Sequence, residues 1–193
     1  MESVLNKQVL DGKKINNMVV TILIIIGAFL VPTFLAKIVP LGQYQQIVVG
    51  TIVNMSLILA ALFTKGTVKT LAIAILPSVS TILSGLLFGG MTLYTKTMIP
   101  VIWLGNFVFI YLYKLLFLNK NFNYIITAAV SIILKVAIIY AGFNIMVNVL
   151  EVPDMARQTL NIAMGMTQLI TATTGSIIAF LVLNVTTKRM NKN

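Results

Sequence analysis

The chain has 193 residues, 59% apolar and only 9% charged, with a formal net charge of +10. Soluble domains average roughly a quarter charged residues, so an ordinary soluble domain is excluded. Cysteine and histidine are absent, which removes disulfides, thiolate and imidazole chemistry and the usual soft-metal ligands.

Six apolar runs follow a polar tail, Met1–Asn17: Met18–Ala36, Ile47–Phe63, Val68–Phe88, Met98–Leu118, Tyr124–Leu150 and Leu160–Val185, before a short tail, Thr186–Asn193. A helix needs about 20 apolar residues to cross the hydrocarbon core. The runs are too long and too continuously apolar for barrel strands, which alternate over about 10 residues. The predicted fold is an all-α integral membrane bundle of six transmembrane helices filling residues 18–185, with no second domain. The first run, with Lys13 and Lys14 before it, is long for a signal-peptide core and ends Phe34-Leu35-Ala36 without a small residue three positions before the cleavage point, so it is expected to stay as a span.

Orientation follows from the basic residues. Lys7, Lys13, Lys14, Lys65, Lys69, Lys114, Lys120, Lys188, Arg189 and Lys192 fall on one side, and only Lys37, Lys96 and Arg157 on the other. Excess Lys and Arg near span ends marks the cytoplasmic face, so both termini are predicted to be cytoplasmic. The charge thus serves topology, and nucleic acid is not expected as a partner. Cytoplasmic connections are then short (Thr64–Thr67, Asn119–Asn123). External ones are longer (Lys37–Gln46, Gly89–Thr97, Glu151–Thr159), and longer loops either bridge distant helix ends or cover sites.

Within the spans, Gly27 and Ala28, with Pro32 beyond them, permit close helix approach, either internally or against another membrane subunit. Pro77 lies mid-span and is followed by Ser78, Ser80, Thr81 and Ser84. A bend is expected there, with hydroxyls re-satisfying freed carbonyls. Polar groups gather in the predicted outer halves: Asn54, then Trp103 and Asn106, then Tyr140, Asn144 and Asn148 at i, i+4, i+8, then Asn161 and Gln168. A buried amide without a partner costs about 2–7 kcal/mol, so these groups are expected to face inward, as helix–helix ties or around a bound molecule. The inner halves (Leu57–Leu62, Leu71–Leu76, Ile177–Leu183) are nearly bare, which argues against a continuous channel.

Lys135 sits about midway along the fifth span, opposite Asn144 on the helical wheel. Reaching the cytoplasm would take about 11 residues of helix, roughly 16 Å, beyond the reach of its stem. An interior role is expected, as a ligand contact or as a structural anchor. The four acids, Glu2, Asp11, Glu151 and Asp154, lie outside the spans, leaving no buried carboxylate for a proton pump. With no Gly-x-x-x-x-Gly-Lys-Ser/Thr loop, no Ser/His/Asp set and no paired carboxylates, enzymatic activity is not expected.

The stretches Ile52-Val53-Asn54-Met55-Ser56-Leu57-Ile58-Leu59-Ala60, Leu76-Pro77-Ser78 and Ile99-Pro100-Val101-Ile102-Trp103-Leu104-Gly105-Asn106, together with the span count, make the chain resemble the substrate-binding S component of an energy-coupling-factor vitamin transporter. The resemblance implies a bundle in the bacterial cytoplasmic membrane that captures a small organic nutrient from outside. Uptake would be driven by a membrane coupling subunit and cytoplasmic ATPases supplied in trans, with no cofactor or metal of its own. It maps a site onto Trp103, Asn106, Asn144, Asn148, Asn161 and Gln168. The family's Ala-x-x-x-Ala docking motif would fall at Ala28, where the fourth residue on is Pro32. The rival expectation is a structural membrane protein of the cell-wall elongation type, holding no transported ligand.

Overall fold

The computed structural model describes residues 26–30, 34, 44–64, 67–84 and 92–190. Among these residues the chain is helical, with no strand. A π-helical turn, Ile26–Leu30, is followed by α1 (Gln45–Phe63), α2 (Thr67–Ser84), α3 (Thr92–Thr97), α4 (Ile99–Leu112), a π-helical continuation of α4 (Tyr113–Asn119), α5 (Tyr124–Val149), α6 (Asp154–Met164) and α7 (Met166–Met190). Four helical stretches are long and apolar enough to cross a membrane: Gln45–Phe63, Ile99–Asn119, Tyr124–Val149 and Asp154–Val185. Residues Lys69–Ser80 of α2 form a shorter apolar helix. This is a multi-pass membrane protein. Most of the predicted first span, Pro32 included, lies outside the described residues.

Side-chain pairings fix the relative directions. Gly50 abuts Thr171 and Gly175 abuts Asn54, so α1 and α7 run parallel. Gly105 abuts Ile139 and Gly142 abuts Val101, so α4 and α5 run antiparallel. Asn106 meets Ala74, and Lys114 meets Thr70, so α2 opposes α4. The alternation agrees with successive crossings of a bilayer.

Why these helices associate is legible in their small residues. Lipid tails are as apolar as Leu, so transmembrane helices gain by close packing and not by hiding apolar surface. An added Cβ on Gly175 would stand 2.8 Å from the Thr51 carbonyl oxygen and 2.9 Å from the Met55 nitrogen. Only glycine admits that approach, and among the described helices α1 and α7 make the most extensive contact. Ala60, Ala61, Ala172 and Ala179 line the same core, which Leu57, Phe109, Tyr113 and Phe117 fill.

Helix ends are tied by specific groups. Lys114 donates from the π-helical segment to the Thr64 carbonyl at the end of α1 (3.1 Å) and to the Thr70 hydroxyl in the first turns of α2. A cation near a helix C-terminus complements its dipole. At the other end of the bundle, Arg157 Nη2 donates to the Val147 carbonyl in the last turn of α5 (3.1 Å). Between α4 and α5, Asn121 takes φ 56°, a left-handed conformation that asparagine tolerates. Asn123 then caps α5 by accepting from the Ile125 amide (2.7 Å).

Three expectations change. The predicted external loop Glu151–Thr159 is mostly helix, because α6 starts at Asp154. Pro153 stands at the cap, an acid occupies the first turn, and Ala156, Leu160, Ala163 and Met164 bury one face. The end of the loop Gly89–Thr97 is likewise helical, as α3. Residues 186–190, expected as part of a polar tail, continue α7.

Candidate functional site

Among the described residues, three polar centres lie within the apolar helices. The first joins α5, α1 and α7. Lys135 is 2% exposed and donates from Nζ to Asn54 Oδ1 at 2.5 Å. Its ammonium also lies 4.9 Å from the centroid of the Phe109 ring, a cation–π contact. Asn54 Nδ2 in turn donates to the Gly50 carbonyl (2.8 Å) and to Thr171 Oγ1 (3.2 Å), and Thr171 donates to the Gln168 carbonyl (3.3 Å). Asn54 lies at the middle of α1, nine residues from either end, so this chain sits deeper than the outer-half position expected for it. Gln168 participates through its backbone carbonyl. Thr171 was not singled out in the sequence, although it shares a helical face with Gly175 four residues on.

The second centre lies between α2 and α4. Asn106, 3% exposed, donates from Nδ2 to the Ala74 carbonyl (3.1 Å). Pro77 has no amide to offer the Ile73 carbonyl, so Asn106 serves the backbone one residue beyond that break. Ser80, one of the hydroxyls expected to serve carbonyls freed at Pro77, donates to a neighbouring element: its Oγ bonds the Phe29 carbonyl in the π-helical turn (2.9 Å). One turn on from the Asn106–Ala74 tie, toward the predicted external end, the antiparallel register brings Ser78 of α2 level with Trp103 of α4. Ser78 Oγ and Trp103 Nε1 are both buried and have no hydrogen-bond partner. Buried polar groups are nearly always satisfied, so each of these atoms leaves hydrogen-bonding capacity unmet inside the bundle.

The third centre was not anticipated. Tyr113 and Ser176 share a hydrogen bond (2.7 Å), and the Tyr124 hydroxyl donates to the Ser176 carbonyl (2.8 Å). Phe109, Phe117 and Phe180 pack around these tyrosines with ring centroids 4.9–5.7 Å apart. The predicted inner end is therefore closed by aromatic rings whose hydroxyls are satisfied. Tyr124 was read only as the start of a span, since sequence periodicity does not reveal which helix a hydroxyl will meet.

Tyr140, Asn144, Asn148 and Asn161 are exposed and do not join these centres, which corrects the expectation that the amides converge inward. The reason is the helical wheel itself. Lys135 and the Tyr140–Asn144–Asn148 stripe occupy opposite faces of α5, and only one can point into the bundle. An unpaired ammonium in lipid costs more than an amide, so the Lys135 face is buried. Asn144 offsets its exposure by donating to the Tyr140 carbonyl of its own helix (2.8 Å). Gly27 and Ala28 also turn inward. Ala28 is fully buried, and a Cβ on Gly27 would meet Ser56 Oγ at 2.5 Å. Their small size serves internal packing against α1.

Comparison with protein-family models, curated proteins and solved structures found no match to this chain.

Proposed function

We propose that the protein is a membrane-embedded solute-binding subunit of the energy-coupling-factor S-component type, in a cytoplasmic membrane with both termini inside. It would hold a small organic molecule for uptake driven by a membrane coupling subunit and ATPases in trans. The observation that carries this reading is a pair of orphaned polar atoms, Trp103 Nε1 on α4 and Ser78 Oγ on α2, each buried without a hydrogen-bond partner. An indole N–H can only donate and a hydroxyl can donate or accept, so together they present a hydrogen-bonding edge beside an aromatic face suited to a planar ring. The site is thereby narrowed to Trp103, Ser78, Asn54 and Lys135, with Asn106 as the tie that sets the α2–α4 register.

Native mass spectrometry of gently purified protein tests the proposal. A retained small molecule, lost on Trp103→Phe, is the expected result; no retained mass, together with no co-purification of a coupling module, overturns it. A structural role without ligand is the rival reading. It is favoured by the closed hydrogen-bond chain from Lys135 through Asn54 and Thr171 to Gln168, and by the outward amides. On that reading Trp103→Phe and Ser78→Ala change melting temperature alone.

A further inference from the structure

We infer that Lys135 receives a singly charged anionic group, a carboxylate, of the molecule the bundle holds; the inference rests on the solute-capture reading above. Four observations support it. Lys135 is buried and, among the described residues, makes no ion pair; its contacts are Asn54 Oδ1 and the Phe109 ring. The nearest acid along its own helix, Glu151, lies past the end of α5, about 24 Å away at 1.5 Å per residue. Asn54 is held by Gly50 and Thr171 so that its oxygen, not its amide nitrogen, faces the ammonium. An asparagine there orients the cation without neutralising it, where an aspartate would have completed an internal ion pair.

The fourth observation is Ser131, one turn along the same buried face of α5. Its Oγ is buried with no partner. Helical side chains lean toward the N-terminus, so the Lys135 stem leans toward Ser131. An ammonium has three N–H donors, of which Asn54 takes one and the Phe109 ring faces another. The remaining N–H and the Ser131 hydroxyl form a pair of donors suited to the two oxygens of a carboxylate. A single cation balances a monoanion, whereas a doubly charged phosphate would leave charge uncompensated in the membrane interior.

The full chain in lipid nanodiscs is equilibrated with radiolabelled benzoate. Saturable binding is expected, displaced by unlabelled benzoate and not by its uncharged counterpart benzamide. Lys135→Met should weaken the saturable binding at least tenfold, and Lys135→Arg should retain part of it. No saturable binding by the native protein, or benzoate and benzamide displacing alike, overturns the inference. The benzoate–benzamide comparison decides the matter in native protein even where Lys135→Met does not fold. A retained uncharged molecule in native mass spectra combined with no saturable benzoate binding discards the anion while leaving solute capture standing.

Discussion

Lys135 and Asn54 act as one unit, and their substitution should show it. Asn54→Ala strands a buried ammonium without its acceptor, and hydrogen bonds to charged groups contribute about 1.5–3 kcal/mol. Thermal unfolding in detergent should register a loss of that size. In a Lys135→Met background the same substitution should cost less, with a coupling of about 0.5–3 kcal/mol from the double-mutant cycle. Additive effects would mean that the contact does not matter energetically. Glycines give a second residue-scale test. Gly175→Ala sets a Cβ against the Thr51 and Met55 backbone, which cannot rotate away, and overpacking of this kind costs about 1–3 kcal/mol. Among the described residues, Gly27→Ala presses closely on the Ser56 hydroxyl alone, which can turn aside, so its melting temperature should change much less.

Helices in this bundle are held as much by ties between ends as by packed faces. Arg157 reaches from α6 to the last turn of α5, a cation at a helix C-terminus, worth about 0.3–1 kcal/mol. Arg157→Ala should therefore speed hydrogen exchange in the final turn of α5 while leaving the turns around Lys135 protected; uniform loss of protection would contradict a local tie. The helical content of the spans was legible in the sequence because twenty consecutive apolar residues in lipid have few alternatives to a helix. The amphipathic α6 was not, because Glu151 and Pro153 before it, with Asp154 and Arg157 in its first turns, read as loop punctuation. Nor was the π-helical widening at Tyr113–Asn119, where the Lys120 amide bonds the Leu115 carbonyl, since that register depends on which residues the neighbouring helices accept.

At the scale of the whole molecule, orientation is open to direct measurement, helped by a chain that contains no cysteine. Single cysteines at Asp154 and Lys120, both exposed, should react with a membrane-impermeant maleimide only from outside and only from inside, respectively. Labelling from the same side would overturn the alternating topology derived from the basic residues. The sequence alone determined that the chain lives in a membrane, where four stretches long and apolar enough to cross it lie, and that Lys135 and Asn144 oppose one another, because hydropathy and the 3.6-residue repeat are local properties. It did not determine which of those two faces looks inward, nor that Thr171 and the Tyr113–Ser176–Tyr124 hydroxyls would take part. Those outcomes depend on which helices become neighbours, and only the packing of α7 against α1, against α5 and against the π-helical continuation of α4 brought the partners within hydrogen-bonding distance.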